Sequence, residues 1–90
     1  MLKTLENLIS TIRQKKSSPD EKSYTSKLLR DKNLSVAKVK EEIAELIEAV
    51  ENNSNTVHEA ADVLYHLLVY LEGNGVRIED IMLELDKRRK

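Results

Sequence analysis

The 90-residue sequence predicts an all-α fold, a small helical bundle of four to five helices. Two observations carry that prediction. Apolar residues recur at intervals of three and four along successive stretches, the period of an amphipathic helix rather than a strand. Turn chemistry is scarce as well: two glycines (Gly73, Gly75) and one proline (Pro19) cannot supply the reversals of a multi-stranded sheet. Phe and Trp are absent, so the core must be assembled from Leu, Ile, Val and Ala with three tyrosines.

The first helix is predicted from about Leu2 to Lys15, with Leu5, Leu8, Ile9 and Ile12 on one stripe. Ser18-Pro19-Asp20-Glu21 has the form of a helix start. The run from Asp20 to Ser26 is nevertheless polar apart from Tyr24, and it reads as a loop feeding a short helix over about Thr25–Arg30. Asp31 to Leu34 reads as a second connection, with Ser35 as the cap of a long helix from Val36 to about Glu51. Val36, Val39, Ile43, Leu46, Ile47 and Val50 form its apolar stripe. Asn52-Asn53-Ser54-Asn55 is a turn cluster. A helix then runs from about Thr56 to Glu72, ends at Gly73-Asn74-Gly75, and is followed by a last helix over about Ile78–Arg88.

Ninety residues predict a single domain, 1–90, too small to bury much of its own surface, so a partner subunit is expected to complete the core. A net charge of −1 gives no general attraction to nucleic acid or to an anionic membrane. Without cysteine there is neither a disulfide framework nor a thiolate metal site. The first residues hold no continuous apolar run, so neither a signal peptide nor a spanning helix is expected, and a cytoplasmic protein is the default.

The informative element is the helix from Thr56 to Glu72. Its apolar residues cover most of its circumference, which implies burial on several sides and a homodimer. Glu59, Asp62 and His66 occupy the one remaining stripe. Ionised carboxylates on a buried helix are costly unless a cation or metal accompanies them. The preceding helix offers Glu41, Glu42, Glu45 and Glu48 on the side opposite its apolar stripe. Facing Glu59 and Asp62, these acids would form a nest of carboxylate oxygens suited to Mg²⁺, or to Mn²⁺, rather than zinc. Magnesium in turn points to phosphate chemistry. Thr56-Val57-His58-Glu59 also has the form of a capping box, in which Glu59 would serve only the helix end.

Glu41-Glu42-Ile43-Ala44-Glu45 followed, after thirteen residues, by Glu59-Ala60-Ala61-Asp62 resembles the acidic signature of the all-α, MazG-like nucleoside-triphosphate pyrophosphohydrolases. Three stretches are similar to the phosphoribosyl-ATP pyrophosphatase family in particular: Ser23-Tyr24-Thr25 with Lys27-Leu28-Leu29, Lys38-Val39-Lys40-Glu41-Glu42, and Glu59 through Val69. Leu85-Asp86-Lys87-Arg88 fits the family's C-terminal helix. The family often has glycine where this chain has Asp31 or Lys32, and a small residue at Lys40. The cyclohydrolase domain that precedes this one in many relatives is not among these residues, so a stand-alone domain is expected.

The resemblance implies hydrolysis of phosphoribosyl-ATP to phosphoribosyl-AMP and pyrophosphate, the second step of histidine biosynthesis. In the carboxylate nest, Glu42, Glu45, Glu59 and Asp62 would hold Mg²⁺, with Glu41 the candidate to orient and deprotonate the attacking water. Ser23, Tyr24, Thr25, Lys27, Lys38 and Arg88 are the expected substrate contacts, and His66 is expected to support a carboxylate from behind. Two other readings fit the same residues: a MazG-like hydrolase of noncanonical nucleoside triphosphates, and a non-catalytic helical dimerisation module with an acidic surface.

Overall fold

In the computed structural model, which describes residues 2–89, five helices follow one another and no strand occurs among the described residues. They are α1 (Leu2–Ser17), α2 (Tyr24–Arg30), α3 (Lys32–Asn52), α4 (Thr56–Gly73) and α5 (Ile78–Lys87). None is long and apolar enough to cross a membrane.

The core lies where α1 and α2 meet the C-terminal half of α4. Ile9 and Ile12 from α1, Leu28 from α2, and Leu68 and Val69 from α4 are all buried there, Ile12 completely. Leu5, Leu8, Leu29, Leu34, Tyr65 and Ile78 pack around them. Arg13 ties this end together. Its Nε and Nη2 each donate to one oxygen of the buried Glu72, at 2.9 Å, and its Nη1 and Nη2 donate to Glu79 at 2.9 and 2.6 Å. One guanidinium thereby clamps α1 to the end of α4 and the start of α5. Lys16 Nζ adds a bond to the Glu72 carbonyl at 2.6 Å, a cation at a helix C-terminus.

Several boundaries differ from the sequence reading, each for an identifiable reason. The long helix begins at Lys32, not after Ser35, because Asp31 is its cap: the Asp31 carboxylate accepts from Leu34 N at 3.0 Å. Asp31 also closes α2, donating its N–H to the Lys27 carbonyl, so a single residue separates the two helices where a four-residue connection was expected. Ser35 sits inside α3, buried. Ser23 caps α2, accepting from Ser26 N, so the helix starts at Tyr24, one residue earlier than expected, with Tyr24 and Thr25 in its first turn. The α3–α4 turn uses left-handed backbone at Asn53 (φ 52°) and Asn55 (φ 56°), the residue type that tolerates it best after glycine.

The larger correction concerns α3 and α4, which pack against each other more extensively than any other pair. α3 turns Ser35, Glu42 and Ala49 inward, seven residues apart. Of the apolar stripe expected to be core, Ile43, Ile47 and Val50 are instead 40–59% exposed. On α4, Val57 and Leu64 are likewise exposed, at 85% and 54%. Within one chain the helical pair brings Glu42 and Glu59 together and leaves Ile43, Ile47, Val50, Val57 and Leu64 outward, while Leu68 and Val69 of α4 enter the core.

Candidate metal and active site

That packing brings acids together. Ligand oxygens of Glu42, Glu45 and Glu59 lie within 4.8 Å of one another. Glu42 comes from the middle of α3 and is 6% exposed; Glu45 follows one turn later at the surface; Glu59 reaches across from the first turn of α4. One oxygen of Glu42 and one of Glu59 (Oε2 in each) are enclosed by protein and have no hydrogen-bond partner. A buried carboxylate oxygen left in that state costs on the order of 1–3 kcal/mol or more, which is why such atoms are rare outside functional sites.

The electrostatics agree. Burial pushes the Glu42 carboxyl above its ordinary range, and the neighbouring Glu45 and Asp62 carboxylates push it the same way. Burial also raises Glu59, with Glu45 as the next contributor. Among the described residues Lys38 brings a cation to the inner edge, with Nζ 3.7 Å from Glu42 Oε1. Its closer partner is Glu41 at 2.7 Å, the main cause of a raised Lys38 pKa.

An all-oxygen set on two helices, with buried lone pairs unmatched by any donor, has the chemistry of a hard divalent cation site. The residues present fit that group. The capping-box alternative for Glu59 is not realised: Asn55 occupies the cap, makes no side-chain cap bond, and the Thr56 hydroxyl bonds back to the Ala49 carbonyl at 3.3 Å.

The remaining sequence-selected residues divide into three groups. Asp62 does not join the trio; it lies one turn further along α4, where its Oδ2 is 3.4 Å from His58 Nε2. Glu41 stands at the surface in its pair with Lys38, outside the nest. Lys27 is exposed on α2, and Arg88 is exposed at the end of α5, bonded to Glu84 on its own helix.

The third group forms an aromatic wall beside the acids. Tyr24 and Tyr65 stack with ring centroids 6.3 Å apart and planes inclined by 18°, and His66 meets both edge-on at 5.7 and 5.0 Å. The hydroxyl of Thr25 bonds the hydroxyl of Tyr65. His66 is buried, but it does not brace a carboxylate as expected. Its Nδ1 bonds the backbone carbonyl of Asp62 at 2.8 Å, and its Nε2 bonds the Tyr24 hydroxyl at 2.9 Å. A carbonyl can only accept, so Nδ1 carries the proton, and in the neutral ring Nε2 accepts from Tyr24. Burial raises the Tyr24 hydroxyl, with Lys38 pulling the other way, so this ring borders the cationic edge of the crevice. Tyr65 was not among the site residues selected from the sequence, and its register one residue before His66 was the available signal.

A helical pair closed around partnerless carboxylate oxygens places the chain among all-α proteins with a buried acidic crevice between two helices. The chain belongs to the phosphoribosyl-ATP pyrophosphohydrolase family, whose model matches residues 5–89. The phosphoribosyl-ATP pyrophosphatase of Methanoregula boonei is 40% identical over 94 residues, covering 99% of this chain and 90% of that protein. The protein of the same name from Methylobacterium nodulans is 42% identical over 94% of this chain and 82% of its own length. A chloroplastic bifunctional histidine-biosynthesis protein of Arabidopsis thaliana is 41% identical over 97% of this chain, which spans only 33% of that larger protein. In the bifunctional protein of Pyrococcus furiosus the share is 43%.

Proposed function

We propose that this chain hydrolyses phosphoribosyl-ATP to phosphoribosyl-AMP and pyrophosphate, the second step of histidine biosynthesis, in the cytoplasm. The observation that supports the reading best is the pair of buried, partnerless oxygens on Glu42 and Glu59, within a chain whose relatives carry that activity in their names. Glu42, Glu45 and Glu59 would hold Mg²⁺, with Mn²⁺ as a substitute and Asp62 completing the acidic set. The bound cation supplies neutralisation of the charge that develops on the phosphoryl oxygens.

The rest falls to this chain's own side chains. A water oxygen forms a bond to phosphorus at the α–β bridge, the bridging P–O bond breaks, and pyrophosphate leaves with the bridging oxygen. The water proton passes to a carboxylate. Glu41, held by Lys38 outside the nest, is poorly placed for this. Glu45 is better placed, because it neighbours both Glu42 and Glu59 and remains open to solvent. Lys38 meets substrate phosphate at the inner edge, and the Tyr24–Tyr65 wall offers ring faces and the Thr25 hydroxyl to base or ribose. Ser23 acts through its cap, fixing the first turn that carries Tyr24 and Thr25. Lys27 and Arg88 have no contact with the crevice in one chain and would reach substrate only from its margin or across a subunit boundary.

A second copy of the chain covers Ile43, Ile47, Val50, Val57 and Leu64, making a homodimer with each crevice near the boundary. Bare in water, these side chains would leave a wide apolar face exposed. Equilibrium sedimentation should give twice the 10.3 kDa chain mass at micromolar concentration. A monomer at that concentration removes the dimer.

The test of the reaction is pyrophosphate release from phosphoribosyl-ATP with and without Mg²⁺. Release that requires the ion supports the proposal; faster release from noncanonical nucleoside triphosphates would redirect it to the housecleaning alternative.

A further inference from the structure

We propose that Tyr24 determines specificity at this site by accepting a hydrogen bond from the nucleoside part of the substrate. The donor is an N–H of the base or an O–H of a ribose, and His66 is the positioning residue that fixes the polarity. The inference rests on the phosphoribosyl-ATP reading and adds to it the atom that reads the nucleoside.

The polarity follows from a chain of bonds that begins in backbone. The Asp62 carbonyl can only accept, so at 2.8 Å it keeps the proton of the His66 ring on Nδ1. Nε2 of the neutral ring is then an acceptor, and the Tyr24 hydroxyl 2.9 Å away supplies the proton between them. His66 is 6% exposed and meets both tyrosine rings edge-on, so its orientation is held by packing as well as by its two bonds. A phenol has one proton. With that proton committed to His66, the Tyr24 oxygen offers a ligand acceptance alone.

That oxygen is within reach of a substrate. Tyr24 is 44% exposed in the first turn of α2, and its hydroxyl feels the charges of Lys38, Glu42 and Glu41, which sets it at the rim of the acidic crevice. Lys38 is engaged elsewhere, with Nζ bonded to Glu41 at 2.7 Å. The neighbouring hydroxyls differ in kind. Thr25 and Tyr65 share one hydrogen bond between two hydroxyls, so one of their protons remains free to donate. The wall therefore carries an acceptor at Tyr24 and a donor-capable pair beside it. A site built to bond a substrate N–H or O–H rejects analogues lacking that group far better than an apolar surface does. The competing explanation is that the Tyr24–His66 bond only fastens α2 to α4.

Two measurements separate these. Long-range proton–nitrogen magnetic resonance of the wild type should show His66 protonated on Nδ1; a proton on Nε2 instead reverses the polarity and overturns the proposal. Inhibition of phosphoribosyl-ATP hydrolysis in Mg²⁺ is then compared for three monophosphates. They are AMP, purine-riboside monophosphate, which lacks the amino group, and 2′,3′-dideoxy-AMP, which lacks the ribose hydroxyls. In the wild type one analogue should inhibit about three- to tenfold less well than AMP, the scale of one hydrogen bond. Loss with purine riboside assigns the donor to the base, and loss with the dideoxy compound assigns it to the ribose. In Tyr24→Phe that discrimination should disappear. A wild type that does not distinguish the three, or a Tyr24→Phe variant that weakens all of them alike and keeps the wild-type ratios, overturns the proposal and leaves the hydrolysis standing. A wild type that releases no pyrophosphate from phosphoribosyl-ATP sinks the function as well.

Discussion

Glu42 and Glu72 are hidden to nearly the same degree, 6% and 4% exposed, yet their surroundings are opposite. Glu72 receives a two-pronged Arg13, a contact from the Ile78 N–H at 3.4 Å, and a carboxyl pulled below its ordinary value mainly by that arginine. Glu42 has other acids for company, a distant lysine, an oxygen without a partner and a carboxyl pushed upward by burial. One end of the molecule has its charge settled by the chain itself. The other has charge concentrated and left open, which folding alone would not favour. Burial of an acid is therefore not the mark of a site; burial without compensation is.

Breaking each acid in turn sharpens that contrast. The largest effect belongs to Glu42→Gln. It should lower pyrophosphate release by about a thousandfold or more, the scale on which loss of preorganised charge stabilisation is felt, while the circular dichroism spectrum stays helical. In metal-free buffer the same variant should be more stable than the wild type by about 1 kcal/mol, since a buried uncompensated charge has been removed. Glu72→Gln should behave in the opposite way. It should lose about 2 kcal/mol in urea denaturation, short of the full cost of breaking a buried pair because Arg13 is partly exposed, and keep its activity per folded molecule.

The pH responses should diverge in the same sense. Glu72 and Glu79 have lowered values, Glu79 down to about 2, with Arg13 the leading cause in each. Their contribution to stability is present above the unfolded carboxylate range and is lost as pH falls from about 4.5 towards 2. Arg13→Met should flatten that acid limb of a melting-temperature profile. Glu42 and Glu59 have raised values, so the folded chain holds protons that the unfolded chain has released. Metal-free stability should therefore fall as pH rises above about 4.5 through their raised values, and Mg²⁺ should suppress the fall at its upper end. The smallest effect is expected of Tyr24→Phe. Removing one hydrogen bond from His66 at a half-exposed ring should cost at most about 1 kcal/mol, with any larger loss appearing in KM rather than in the melt.

Much of the fold was legible because its helices announce themselves locally. The three-four recurrence placed α1 and α4 to within two residues, and Asn52–Asn55 marked the turn between α3 and α4. The start of α3 was misplaced because Ser35 and Asp31 are both good caps, and only the three-dimensional fold shows which side chain has a free N–H in front of it. The orientation of α3 was misread for a deeper reason. An apolar stripe states that a face is to be covered, but not by which chain, and here Ile43, Ile47 and Val50 are left for another surface. The acids were legible as a set from their spacing on adjacent helices. The split of Asp62 from Glu42 and Glu45, and the turn of His66 towards Tyr24, depend on how α4 is rotated against α2 and α3, which spacing along the sequence does not specify. The Arg13–Glu72–Glu79 clamp, spanning most of the chain's length, left no local trace.

The most direct measurement is a calorimetric titration of Mg²⁺ into the wild type and into Glu42→Gln, with thermal melts of both at matched concentrations. The wild type should bind the ion and gain about 2–3 kcal/mol of stability at a hundredfold excess over Kd, and Glu42→Gln should show neither effect. Identical titrations and melts for the two proteins would contradict the claim that the buried acids of α3 and α4 are completed by a divalent cation.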